Sequence, residues 1–149
     1  MQRALIIDQH PVIRFALHDL LIDQNFTEIA EVNFDECAIS EAFQRQPEFI
    51  IVGTDRQESA AFAIIKKLVM LSSTSKIIVF AADPTDDFSR CCLQIGAASV
   101  VSKSKDLSEL ISVVRDVVAE HSFPNPNTQK FDTCRMQNDA VVIDSDIQI

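Results

Sequence analysis

The chain has 149 residues, a length typical of one globular domain with at most a short appendage. Its composition, 47% hydrophobic and 23% charged, is that of an ordinary folded protein and excludes both wholesale disorder and a coiled coil. Thirteen basic residues against twenty-two acidic ones give a net charge of −9, which opposes a phosphate-binding surface, so we predict no direct binding of nucleic acid.

Short apolar runs alternate with segments of helical periodicity along the chain. The predicted strands are residues 4–7, 28–32, 49–52, 77–82 and 99–102, and the predicted helices are residues 11–21, 35–46, 58–71, 84–95 and 107–119. Strands that are apolar along their length and are joined by helices indicate a parallel sheet covered on both faces. The sequence therefore predicts an α/β domain of five βα units over residues 1–120.

The helical segments carry further expectations about packing. The inward side chains of the helix 35–46 are predicted to be Cys37, Ile39, Ala42 and Phe43. Gly96 follows the fourth helix and is predicted to take the left-handed conformation that ends helices. In the helix 107–119, Val113 and Val117 widen the apolar stripe, and we predict that they form the surface of a symmetric homodimer.

The pattern stops near His121, and residues 122–127 contain two prolines and two asparagines, which is typical of a linker or exit turn. We therefore predict a domain over residues 1–124 and a linker or tail over residues 125–149. Residues 140–143 are apolar and β-branched, so the tail is expected to be either disordered or an added edge strand.

Membrane insertion and metal binding are both disfavoured by the sequence. No apolar run approaches the roughly 20 residues of a membrane span, and the amino terminus does not resemble a signal peptide, so we predict a cytoplasmic protein. Cys37, Cys91, Cys92 and Cys134 lack the spacing of a zinc site, which favours reduced thiols. A vicinal disulfide between Cys91 and Cys92, acting as a redox sensor, is the alternative.

Polar residues follow several predicted strands, and the carboxyl ends of parallel strands are where functional groups gather. These segments are Asp8-Gln9-His10, Gly53-Thr54-Asp55, Ala81-Ala82-Asp83 and Ser102-Lys103-Ser104. The strand ends therefore predict one site at a single edge of the sheet.

The order of these motifs resembles the receiver domain of NarL/FixJ-type two-component response regulators, in the group of BvgA and EvgA. The resemblance covers residues 2 to about 124 and is carried by residues 5–14 (LIIDQHPVIR), 47–53 (PEFIIVG), 90–98 (RCCLQIGAA) and 102–103 (SK). It implies a flavodoxin-like (CheY-like) doubly wound fold with a five-stranded parallel sheet in the order 2-1-3-4-5.

The family pattern implies two acids after the first strand and an acceptor aspartate after the third, which together hold Mg²⁺, while a hydroxyl and a lysine contact the phosphoryl group. In this sequence Gln9 replaces the second acid, Gly53 the acceptor and Ala81 the hydroxyl, and Val100 stands at an aromatic position. Glycine is no nucleophile, and one carboxylate is too little for a hard cation, so we predict no phosphoryl transfer and no metal. The predicted degenerate pocket comprises Asp8, Gln9, Gly53, Asp55, Ala81 and Lys103.

Four residues in and beside this pocket have alternative interpretations. Asp8 and Lys103 are predicted to form an ion pair, with a retained binding role as the alternative. Asp55 could replace the missing acceptor if its side chain folded back over the loop. His10 is predicted to be a local cap or packing residue rather than a base.

We therefore predict a phosphorylation-independent pseudo-receiver that is not an enzyme, needs no cofactor and acts in signal transduction or transcriptional regulation through protein contacts. Its expected partner is a protein such as another response regulator or a histidine kinase. The alternatives are a small-ligand or anion sensor that uses the vacated pocket, and a phosphoacceptor that uses a displaced aspartate. Because a DNA-binding domain normally follows the linker in this family, the chain is expected to be a stand-alone partner or a part of a longer regulator.

Overall fold

The computed structural model describes residues 3–55, 57–72, 74–104 and 107–122. Strands and helices alternate in the order β1 (Arg3–Ile7), α1 (Pro11–Asp23), β2 (Glu28–Val32), α2 (Glu36–Arg45), β3 (Phe49–Thr54), α3 (Glu58–Leu71), β4 (Lys76–Ala81), α4 (Asp86–Ile95), β5 (Ser99–Ser102) and α5 (Leu107–Ser122). The strands are parallel and lie in the order β2-β1-β3-β4-β5. The predicted fold class and strand order are confirmed.

The sheet separates two apolar cores, because successive side chains of a strand point to opposite faces. Leu5 and Ile7 of β1 pack with α2, α3 and α4, in a cluster that includes Leu68 and Cys92. Ala4 and Ile6 pack on the other face with α1 and α5. Every residue of β3 is buried, as expected for a central strand covered on both faces.

Local signals set the ends of the helices. Asp35 caps α2 by accepting a hydrogen bond from the Cys37 backbone N–H, and Thr85 caps α4 by accepting one from Phe88. α4 therefore begins two residues after its predicted start. Gly96 ends α4 with a φ of 127°, so the predicted left-handed conformation is confirmed.

The predicted inward face of α2 was partly wrong. Ala38 and Ala42 are fully buried and Ile39 is half-buried, whereas Cys37 is exposed and Phe43 is 58% exposed. α2 thus packs through small alanine side chains, which allow a close approach to the sheet, and the larger Phe43 remains on the surface.

The predicted contact surface on α5 also needs correction. Val117 is only 4% exposed and belongs to the core formed with α1, and Val113 is partly buried against the same core. Val117 therefore stabilises the monomer and is not available as a surface for a second copy. Self-association itself stays a prediction.

Cys91 is exposed and Cys92 is buried, and both are free thiols, as predicted. Among the described helices, none is both long and apolar enough to cross a membrane. The predicted linker or tail, its apolar segment 140–143 and Cys134 lie outside the described residues.

Candidate functional site

A cleft of about 340 Å³ lies at the carboxyl edge of the sheet. Its lining residues are Asp8, Gln9, Phe34, Gly53, Asp55, Gln57, Ala61, Ala82 and Lys103. The structure thus brings together five of the six residues of the predicted pocket. Ala81 is buried in the core, and the next residue, Ala82, lines the cleft in its place.

Asp8 is a fully buried carboxylate that directly follows β1. Its backbone N–H donates to the Val32 carbonyl at 3.1 Å, which continues the pairing of β1 with β2. Its Oδ1 accepts a hydrogen bond from the backbone N–H of His10 at 2.8 Å, and its Oδ2 lies 3.0 Å from Lys103 Nζ. The main chain and one ion pair therefore fix the carboxylate in place.

Lys103 directly follows β5, and its backbone N–H donates to the Ala81 carbonyl at 2.7 Å. Its side chain is 14% exposed, and Nζ lies 5.8 Å from the centre of the Phe80 ring. The predicted ion pair between Asp8 and Lys103 is confirmed. Since a buried charge without a partner is costly, each of these groups depends on the other.

Asp55 follows β3 and folds back over the rim of the cleft. Its Oδ2 accepts a hydrogen bond from the Gln9 side-chain amide and lies 3.1 Å from His10 Nε2, and its Oδ1 lies 3.7 Å from Lys103 Nζ. Burial acts to raise the pKa of Asp55, but the His10 hydrogen bond, the charges of Lys103 and His10, and the Gln9 hydrogen bond together lower it below the ordinary 3.8. Asp55 is thus held as a carboxylate.

His10 occupies the position before the first residue of α1, but its side chain makes no capping hydrogen bond. Its ring reaches Asp55 and Gln9 instead. The prediction of a capping role therefore holds for the backbone position and is wrong for the side chain.

Gly53 lies directly against the Asp8 carboxylate. A β-carbon placed on Gly53 would overlap Asp8 Oδ2 and would lie 2.6 Å from Asp8 Cγ. The Asp8 carboxylate therefore occupies the space that any side chain at position 53 would enter.

The cleft does not fit Mg²⁺, the ion that the resemblance implies. A hard divalent cation takes several oxygen ligands, usually including carboxylates without a competing cation. Among the described residues, the carboxylates that line the cleft are those of Asp8 and Asp55, and both face Lys103 Nζ, at 3.0 and 3.7 Å. Within the described ranges there is also no group of three or more His, Cys, Asp or Glu residues that could hold a metal ion.

The predicted pocket lacked four lining residues, Ala82, Phe34, Gln57 and Ala61, of which Ala82 stood in a predicted strand-end segment and the other three were missed altogether. Phe34 follows β2 and Gln57 precedes α3, so both lie in loops at the carboxyl edge. The rule that these loops build the site could have found them. Ala61 is in the second turn of α3, and its small side chain gave no signal.

Comparison with protein families matches residues 4–115 to the response regulator receiver domain. Among curated proteins, the chain is 29% identical over 146 residues to a putative transcriptional regulator of Pseudomonas aeruginosa, covering 97% of this chain and 70% of that protein. It is also 29% identical over 121 residues to the virulence factors putative positive transcription regulator BvgA of Bordetella pertussis.

That second alignment covers 81% of this chain and 58% of BvgA, so the chain spans little more than half of that relative's length. Among solved structures, the CheY-like response regulator receiver domain protein of Methanospirillum hungatei superposes with a TM-score of 0.71 and 14% identity, over 84% of this chain and 99% of that one. At this identity the superposition supports the shared fold alone.

Proposed function

Because the chain belongs to the response regulator receiver family, we propose that it acts in signal transduction as a pseudo-receiver, without accepting a phosphoryl group. It transmits a signal through contacts with another protein. We propose no catalytic activity for it.

The observation that carries this proposal is the arrangement at Gly53. Position 53 lacks a nucleophile, and the space above it holds the Asp8 carboxylate, which is paired with Lys103. A phosphoryl group attached at this point would need both a nucleophile and a free cation. The described residues of the cleft offer neither at that place.

Asp55 is the second candidate acceptor, since its carboxylate lies at the rim and 3.7 Å from Lys103. Both of its oxygens already have partners, namely His10 and Gln9 for Oδ2 and Lys103 for Oδ1. With no fit for a divalent cation beside it, we propose that Asp55 closes the rim and is not phosphorylated. An anion sensor is also disfavoured, because the positive charge of Lys103 is already paired with the carboxylates of Asp8 and Asp55.

The partner that we propose is a protein, either another response regulator or a histidine kinase. The relatives described as transcription regulators support a role in the control of transcription. We propose that this role is exercised in the cytoplasm and without direct DNA contact by the described domain, whose chain carries a net charge of −9.

Treatment with acetyl phosphate and Mg²⁺, followed by intact mass measurement, tests the proposal. We expect no change in mass, while a receiver domain with an intact acceptor gains one phosphoryl group in parallel. A gain of about 80 Da, the mass of one phosphoryl group on a nucleophile, would overturn the proposal. In that event the variant Asp55→Asn identifies the acceptor, because it loses the gain if Asp55 carries the group.

A further inference from the structure

We propose that the Asp8 side chain is the built-in occupant of the acceptor position, and that it acts as a positioning residue which holds Lys103 in place. The inference deepens the proposed function and rests on it. In this proposal, the ion pair between Asp8 and Lys103 is the contact that keeps the cleft in its present arrangement.

The first observation is steric. Only a hydrogen on Gly53 leaves room for the present orientation of Asp8, since an added β-carbon overlaps Oδ2 and lies 2.6 Å from Cγ. The Asp8 β-carbon would be 3.1 Å away, a tight but tolerable contact. The conflict therefore concerns the carboxylate itself, and it ends only if the carboxylate rotates away.

The second observation is that rotation would break two contacts at once. The carboxylate would leave Lys103 Nζ at 3.0 Å and the His10 backbone N–H at 2.8 Å. Asp8 is fully buried in its present orientation, so the rotation would give up two buried polar contacts together. A side chain at position 53 and the present ion pair therefore exclude each other.

The third observation concerns Lys103. Its Nζ is nearer to the buried Asp8 than to the rim residue Asp55, at 3.0 against 3.7 Å. Asp8 is thus the closer partner of this amine, and it draws the amine towards the space above Gly53. The Asp8 carboxylate therefore places a negative charge where receiver domains carry the acceptor aspartate.

A double-mutant cycle on positions 8 and 53 tests the proposal in the full chain. Gly53→Ala is expected to lower Tm by about 5 °C or more in the natural background, and by less than half as much in the Asp8→Ala background. In the Asp8→Asn background, which keeps the volume of the side chain, the loss is expected to persist. An equal loss in the natural and Asp8→Ala backgrounds, or its disappearance with Asp8→Asn, would contradict the occupancy.

The other glycine provides a matched control. Gly96 has a φ of 127°, and its added β-carbon would meet Val69 Cγ1 at 3.0 Å. It lies in the loop that leads into β5, whereas Asp8 follows the carboxyl end of β1, at the opposite edge of the parallel sheet. Gly96→Ala should therefore lower Tm by the same amount in both backgrounds. If Asp8→Ala does not fold, Asp8→Ser, with its shorter side chain, takes its place in the cycle.

The positioning role has its own readout, the reaction of lysine amines with an acetylating reagent, located by mass spectrometry. Lys103 is expected to react slowly in the natural chain and several-fold faster in Asp8→Ala, while the exposed Lys66 and Lys67 react equally in both. Unchanged protection of Lys103 would overturn the positioning role. These outcomes are separate from phosphorylation of the natural chain, which tests the proposed function alone.

Discussion

Lys103 connects the two carboxylates of the cleft, and its removal should reveal how much the buried pair matters. Lys103→Met would leave the fully buried Asp8 without its cation. We expect a loss of about 3 kcal/mol in the free energy of unfolding, the usual consequence of deleting one partner of a buried pair. Denaturation in urea measures it, with Lys67→Met on the surface of α3 as a control that should change little. A loss similar to the control's would mean that the pair contributes nothing.

Asp55 should make stability depend on pH in the acid range. Its pKa is lowered in the folded chain, so the folded state favours the carboxylate; the resulting stability is present above pH 3.8 and is lost as the pH falls through the folded pKa. Asp55→Asn should lack this dependence. Because the side chain is 38% exposed, we expect a difference below about 1 kcal/mol.

The measurement for Asp55 is the free energy of unfolding of the natural chain and of Asp55→Asn, from about pH 5 to about pH 3. The gap between the two proteins should narrow as the pH falls. Asp87→Asn removes an exposed carboxylate outside the cleft and serves as a control for the change of net charge. A gap that widens towards low pH would contradict a lowered pKa for Asp55.

Among the elements, α2 offers a direct test of its corrected packing face. Ala38→Leu adds volume to a fully buried position and should destabilise the fold by about 1–3 kcal/mol. Phe43→Ser changes a side chain that is 58% exposed and should alter stability by less than about 0.5 kcal/mol. Thermal unfolding of the two variants ranks them. If Phe43→Ser proved the more harmful, the sequence-based face would be right after all.

Element bounds were accessible from the sequence, because apolar runs and helical spacing are local properties, whereas the strand order came from the resemblance to receiver domains. β2, α3 and β5 have the predicted bounds. The buried face of α2 could not be predicted from the sequence. Either Phe43 or the pair Ala38 and Ala42 could face the interior, and the choice depends on how closely the helix approaches the sheet. The broad apolar stripe of α5 misled in the same way, because Val117 belongs to the core that α5 shares with α1 and the sheet.

The candidate site, too, could be predicted only in part. The strand ends and the family pattern together indicated the pocket, and the ion pair between Asp8 and Lys103 followed from what remained of that pattern. The position of the Asp8 carboxylate above Gly53 depends on a side-chain rotation set by its contacts with Lys103, after β5, and with the His10 backbone, before α1. The return of Asp55 over the rim depends likewise on His10 and Gln9, so neither could be derived from spacing.

At the scale of the whole molecule, the sheet is the shared wall of both cores. Leu68 and Cys92 belong to the core on one face and Leu110 belongs to the core on the other, and all three are fully buried. Since β3 contributes side chains to both clusters, loosening one core should weaken the other. We therefore expect the domain to unfold as one cooperative unit.

The thiol of Cys92 can report this cooperativity. Burial, the neighbouring Cys91 and Glu58 together raise its pKa to about 12, so the reactive thiolate is absent from the folded state at neutral pH. In a Cys134→Ser background, a thiol reagent should label the exposed Cys37 and Cys91 at once and Cys92 only when the domain opens. Cys92 labelling at the rate of Cys91 would contradict this order.

The decisive comparison is between variants on the two faces of the sheet. Leu68→Ala, in the same core as Cys92, and Leu110→Ala, in the core across the sheet, each remove a fully buried leucine side chain and should destabilise the fold by about 2 kcal/mol or more. If opening is global, both should speed the labelling of Cys92 by about thirtyfold or more, because labelling follows the unfolded population. If opening is local to the α3 and α4 side, Leu68→Ala alone would speed it, and the sheet would not couple the two cores.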